Sequence, residues 1–326
     1  MSDIYHIPGD DGKGYRLKKF VEYQHEVPSI HYRFLGEYIK RHSLSKDETL
    51  DMCWLMSITY NELTCMLLFE MLKSMAPGKI WEKYKECLSF GSARKYAKNN
   101  DQFVELIEYW RMETNNAPYE WLICQILPSE EQTCVNIQRT VQNIPNVGRF
   151  ASDLFIEMLV YMKGYLGIKI KEPATIDWKN CANLTSGIFN IFYEDERADN
   201  FDKTKKVTAN EVKYLTNKLR IIQEAISKTY PEQDSEISMF IGKICSFRNL
   251  FKNARYGGFH HDRQLGVLKD YERLFPEYNY LWKECYQIRK DIFPERFLGE
   301  LHGWDGIRKE RKKLWLTTGK TGVENE

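Results

Sequence analysis

Three stretches of this sequence gather residue types suited to chemistry on anions. The first is Asn143-Ile-Pro-Asn-Val-Gly-Arg-Phe-Ala151, with apolar periodicity that predicts a helix on either side. A tight turn between helices needs left-handed backbone near its tip, which Asn146 tolerates and Gly148 adopts freely. The amides from Gly148 to Ala151 then point out of a helix N-terminus, where they bind a phosphate without reading a base. Arg149 adds a charge, and Ala151 lets the two helices pack closely. A plain helix–helix turn uses the same residues, so both readings stay open.

The second stretch is Asn253-Ala-Arg-Tyr-Gly-Gly-Phe-His-His-Asp-Arg263. Its glycine pair allows backbone to approach a ligand closely. Arg255 and Arg263 suit bidentate contacts to phosphate oxygens. Tyr256, Phe259 and His260 offer stacking surfaces for a base, and His261 titrates near neutral pH and moves protons. A metal site built from His260, His261 and Asp262 is disfavoured, because adjacent positions point apart on any regular element.

The third stretch is His302-Gly-Trp-Asp-Gly-Ile-Arg-Lys-Glu-Arg-Lys-Lys313. Asp305 reads as a helix N-cap, with Arg308, Arg311 and Lys312 on one side of the helix to meet phosphate. A solvated basic face is the plainer reading. Tyr60, Asn61 and Glu62 form a polar trio inside an apolar run; they either line a pocket or satisfy one another internally.

The elements that must position these residues are helices. Ser45-Lys-Asp-Glu48 is a capping box that opens a long central helix over 47–73, closed by Pro77-Gly78. Further helices are predicted near 31–41, 79–88, 101–113, 117–127, 130–142, 149–163, 176–193, 208–229, 235–253, 262–273, 277–292 and 306–316. Strand-like alternation is scarce, so the class is all-α. Residues 1–28 read as an irregular arm, 29–194 as a helical lobe, 195–206 as a polar connector and 207–326 as a basic helical lobe.

The chain has 326 residues, enough for one large domain or two lobes. Its net charge of +1 excludes a uniformly basic DNA-coating protein. Lys243 to Lys320 nevertheless carries 17 Lys/Arg against 10 Asp/Glu, or +7, which leaves −6 for the remainder. Either the charges cluster by chance or one face meets an anionic partner. Aromatics are unusually frequent at 14%. The eight cysteines form no C-x-x-C, which points to a reducing, cytosolic setting. Asp51, Glu62 and Glu70 inside the most apolar stretch argue for a buried helix, not a membrane span. Gly319-Lys320-Thr321 mimics the end of a phosphate-binding loop, but Leu314 stands where that loop needs glycine.

The 144–151 pattern resembles the helix-hairpin-helix element of DNA glycosylases. In those enzymes an aspartate about one helix further on faces the flipped base, and Asp177 is the matching residue, at a longer spacing than the glycosylase pattern. An ordinary acid at a helix start explains Asp177 as well. Glycosylases that also cleave the backbone carry a lysine two positions after the hairpin glycine. Phe150 stands there, so no lyase activity is expected. With the Arg255–Arg263 stretch and the helical pattern of most of the chain, the sequence is similar to the phage amino acid:DNA transferases. These are also called alpha-glutamyl/putrescinyl thymine pyrophosphorylases and are all-helical relatives of the glycosylases. Asn146 departs from the glycine usual at the first hairpin position.

The resemblance implies a helix-hairpin-helix glycosylase-like fold, with two helical lobes around a cleft. It implies that the partner is DNA whose 5-hydroxymethyluracil has been pyrophosphorylated by a separate kinase. The transferase replaces pyrophosphate with the amine of an amino acid or polyamine, giving a hypermodified thymine. Arg255, Arg263 and Arg308 would stabilise the departing pyrophosphate, helped by Arg311 and Lys312. Asp177 or His261 would serve as general base. Asn146, Gly148 and Arg149 would hold DNA, and Tyr256, Phe259, His260, Trp304, Tyr60 and Asn61 would line the base pocket. No metal ligand set is expected; a divalent cation stays open as a cofactor. The expected location is the cytoplasm, that of the host if the protein is viral, with no membrane partner. Two other functions remain: a glycosylase that excises a modified base, and a DNA-binding protein without catalysis.

Overall fold

The computed structural model describes residues 15–26, 30–91, 102–126, 134–170, 178, 182–199, 207–231, 237–251 and 259–299. The chain is all-α, with no strand among the described residues. In order, the helices are α1 (Tyr15–Glu26), α2 (Ile30–Arg41), α3 (Lys46–Thr59), α4 (Glu62–Leu72), α5 (Pro77–Tyr84) and α6 (Gln102–Glu113). Then come α7 (Pro118–Trp121), which runs into a π turn at Leu122–Ile126, α8 (Cys134–Gln142), α9 (Arg149–Leu166), α10 (Ala182–Ile191) and α11 (Asp195–Asp199). The last are α12 (Ala209–Thr229), α13 (Ile237–Phe251), α14 (Phe259–Leu274) and α15 (Asn279–Ile292).

The described residues fall into two compact units that do not follow the expected lobes. The first takes its residues from 1–28, 174–263 and 299–326, and the second from 29–173 and 264–298. The expected connector at 195–206 therefore lies within the first unit, where Asp195–Asp199 is helical. The expected irregular arm contains α1, because Phe20 and Val21 are apolar residues with a core to enter. The basic C-terminal third is also divided. Residues 264–298 hold six bases and six acids, and the whole first unit holds 24 Lys/Arg against 22 Asp/Glu. The +7 of the sequence is thus largely neutralised within its own unit.

In the first unit, Leu184, Ile188, Leu215, Leu219, Ile222, Phe240 and Ile244 form the core with Phe20 of α1. The Phe20 and Phe247 rings meet edge to face at 5.3 Å. Arg16 ties α1 to the end of α10, with Nη1 donating to the Asn190 carbonyl at 2.9 Å and to Asp195 at 2.8 Å.

In the second unit, α3 opens on the capping box read from the sequence: Ser45 Oγ accepts from the Glu48 amide and Glu48 accepts from the Ser45 amide. The long helix expected over 47–73 is instead two helices. Tyr60 takes left-handed backbone (φ 49, ψ 38) and Asn61 caps α4 by accepting from the Thr64 amide. The chain reverses there, since the Cys65 thiol of α4 lies 3.3 Å from the Met52 carbonyl of α3. Gly91 braces the reversal: its amide donates to the Thr59 carbonyl, and a Cβ on it would stand 2.7 Å from the Tyr60 carbonyl oxygen. The three acids of this apolar stretch are all partnered. Trp110 Nε1 donates to Asp51 at 2.7 Å, the Tyr38 hydroxyl to Glu70 at 2.9 Å, and Glu62 joins the cluster described below. Burial pushes the Asp51 carboxyl up to about 6.

Candidate functional site

The 143–151 segment is a helix, a tight turn and a second helix. Ile144 and Val147 point into the core and fix the turn, while Asn146 and Gly148 are exposed. Asn146 is the left-handed residue (φ 65). Gly148 is not: at φ −80 and ψ 168 it is the N-cap of α9, so its value is not backbone freedom. A Cβ there would meet nothing within 4 Å, and the N-cap glycine itself has no side chain to cap the first turn. The Ala151 and Ser152 amides both turn to the Gly148 carbonyl, at 3.1 and 3.2 Å, so any ligand at this end would be met by the amides before Ala151. Ala151 is buried, and α8 and α9 are joined by Gln142 Nε2 donating to Ser152 at 3.1 Å. Asn146 Nδ2 donates to Glu105 at 2.9 Å, which sets one carboxylate beside the tip. The Arg149 side chain lies outside the described residues.

The second stretch is split. Arg255 and Tyr256 lie outside the described residues, and α14 begins at Phe259. Phe259, His260 and Arg263 are half-buried, whereas His261 and Asp262 are inside the protein at 1% and 0% exposure. Successive helical positions turn by about 100°, so one histidine reaches the surface and its neighbour does not. As it stands, His261 presents no ring to a substrate arriving from solvent. Asp177, Trp304, Arg308, Arg311 and Lys312 also lie outside the described residues. Among the described residues, no three His, Cys, Asp or Glu side chains group to hold a metal ion.

The polar trio at 60–62 is satisfied internally, through a partner the sequence did not suggest. His31 of α2 donates from Nδ1 to Glu62 Oε2 at 2.6 Å. Gln264 Nε2 of α14 donates to Glu62 Oε1 at 2.7 Å. Arg289 of α15 donates to the Gln264 carbonyl oxygen and to the Phe297 carbonyl at 2.8 Å. A carboxylate and a guanidinium are thus bridged by one amide inside the second unit. Burial pushes the Glu62 carboxyl up, but the charge and hydrogen bond of His31 and the bond from Gln264 outweigh it and hold the carboxyl below its ordinary value. Tyr60 stands beside this cluster, its ring 4.9 Å from that of His31.

Cluster and hairpin lie toward the same end of the second unit. The Tyr32 hydroxyl donates to Glu157, and Gly36, one turn on, packs on Tyr161, so α2 and α9 run parallel. His31 with Glu62 and Tyr38 with Glu70 make α2 and α4 parallel as well. The N-termini of α2, α4 and α9 therefore face one way, and their dipoles add to a positive end. Glu157 lies about 12 Å along α9 from its first residue.

No family model matches this sequence, and neither a curated protein nor a solved structure matches it. No helix among the described residues is long and apolar enough to cross a membrane.

Proposed function

We propose that this protein transfers an amino acid or polyamine onto 5-pyrophosphoryloxymethyluracil in DNA, releasing pyrophosphate and leaving a hypermodified thymine. On this reading the all-α chain is a helix-hairpin-helix scaffold of the glycosylase kind. The observation that carries it is the hairpin: a left-handed Asn146 and, at the start of an 18-residue helix, an N-cap Gly148 with open space where a side chain would stand. Such an end accepts a DNA phosphate and positions the duplex without reading its sequence. The target base then leaves the stack to be reached, and aromatic rings suit its faces.

Arginines stabilise pyrophosphate as its charge develops, the role given to Arg255, Arg263 and Arg308. The resemblance of 255–263 to the transferases distinguishes this reading from base excision. The test is incubation with pyrophosphorylated hydroxymethyluracil DNA and isotopically labelled amines, followed by nucleoside mass spectrometry. A labelled thymine derivative is expected. Abasic sites would instead identify a glycosylase, and salt-dependent binding without any product would leave a non-enzymatic DNA-binding protein.

A further inference from the structure

We propose that the tyrosine-lined face formed by the end of α4, by α5 and by the α14–α15 connection is a docking surface for a second copy of this chain. The face lies wholly in the second unit, and the proposal does not depend on the transfer reading. Tyr84 closes α5, Tyr278 ends the 3₁₀ turn Pro276–Tyr278, and Tyr280 stands in the first turn of α15. The Tyr278 and Tyr280 rings lie 6.3 Å apart, and Tyr84 is within electrostatic reach of Tyr278. Tyr84 also meets the Phe275 ring at 5.4 Å, and the Lys83 ammonium lies 4.8 Å from its centre. Of the four large apolar residues exposed among the described residues, two fall here: Leu274 at 42% and Tyr280 at 56% exposure. Single exposed apolar residues are ordinary, whereas a contiguous group of them marks a contact surface.

The face is set before any partner arrives. Glu70 accepts from the Tyr280 hydroxyl at 3.2 Å, the Tyr38 hydroxyl at 2.9 Å and the Lys73 ammonium at 2.8 Å, so Tyr280 is tied to α2 and α4. Phe275 is fully buried, and Trp282 Nε1 donates to its carbonyl at 2.9 Å, which fixes the turn between α14 and α15. A ring already held in place loses little freedom on binding, and tyrosine brings a large apolar body with a polar tip.

Charge decides the occupant. Residues 70–86 and 274–280 hold four lysines, four glutamates and no other charged side chain. Nucleic acid or anionic lipid would meet as many repelling carboxylates as attracting ammonium groups. A patch that pairs with itself about a two-fold axis has the opposite requirement. Each group on one copy meets a different group of the same patch on the other. Central tyrosines with equal numbers of acids and bases around them are therefore self-complementary. A stable interface of this kind buries about 800 Å² per partner, and one whose copies exchange buries less.

Sedimentation velocity of the full chain, from low micromolar to a few hundred micromolar, tests this. A reversible monomer–dimer equilibrium is expected. Tyr280→Glu and Leu274→Glu should each raise its Kd by about tenfold or more, with the circular-dichroism melt near wild type. Met112→Glu changes an apolar residue of α6 that is 69% exposed, and it should leave the Kd unchanged. A single-chain mass at every concentration overturns the proposal, as does a dimer that both face variants leave intact. A wild-type monomer whose affinity for DNA falls in Tyr280→Glu also overturns it, and gives the face to nucleic acid.

Discussion

Gly187 of α10 lies against the backbone of Ile244 in α13: a Cβ on the glycine would stand 2.6 Å from the isoleucine side chain and 2.7 Å from its carbonyl oxygen. Backbone cannot yield as a side-chain tip can. Gly187→Ala should therefore destabilise the first unit by about 1–3 kcal/mol, the range for overpacking a core. Gly164→Ala, where a Cβ meets nothing, is the control and should be neutral or slightly stabilising. Urea titration followed by circular dichroism separates the two.

Glu157 makes stability depend on pH. Burial raises its carboxyl from 4.5 to about 8, with the Tyr32 hydroxyl as its partner. A raised folded-state value means that the protonated form favours folding. That contribution is complete below about pH 4.5 and is lost as pH rises to about 8. Asp51, raised from 3.8 to about 6, adds in the same direction over the lower part of that window. Thermal melts should fall between pH 5 and 8 for the wild type and fall less for Glu157→Gln. Equal slopes would show that Glu157 is not protonated in the folded protein.

Gly148→Asp separates helix stability from DNA binding. Aspartate is at least as good an N-cap as glycine, worth a few tenths of a kcal/mol. It also places a carboxylate where a DNA phosphate would sit. The melting temperature should hold or rise while affinity for duplex DNA drops by about tenfold or more, read by fluorescence anisotropy at fixed salt. Unchanged affinity would remove the hairpin from the DNA contact.

Arg289→Met should be among the most destabilising single changes in the second unit. The buried Arg289 guanidinium donates to the Gln264 carbonyl oxygen and to the Phe297 carbonyl, and each such charge-assisted bond contributes about 1.5–3 kcal/mol. The losses of Arg289→Met and Glu62→Gln should combine less than additively in the double variant, because Gln264 joins the two side chains. Chemical denaturation of the four proteins of this cycle measures the coupling.

What the sequence made legible is local. The Ser45–Glu48 box and the helices around 143–151 follow from spacing within a few residues, and both stand as read. The reversal at Tyr60 did not announce itself, because it contains neither glycine nor proline. It depends on a tyrosine held in left-handed backbone and on Gly91, some thirty residues away, leaving room for it. His31 was missed for the same reason: its partner comes from another helix. Conversely, the sequence suggests backbone freedom at Gly148, where the structure shows ordinary backbone and an empty space. His260 and His261 looked equivalent in sequence, and a single helical step gives them different surroundings.

The bridge from Gln264 to Glu62 joins positions 202 residues apart. A ribosome adding about 5–20 residues per second needs roughly 10–40 seconds to cover that interval. Throughout it, α3 and α4 can already pair, because their reversal is local, and Glu62 then has His31 as its sole partner from this cluster. The nascent helical hairpin thus carries a carboxylate whose second side-chain partner arrives only with α14. Fragments ending before α15 lack the guanidinium that holds Gln264, so the cluster is complete only once Arg289 has been translated.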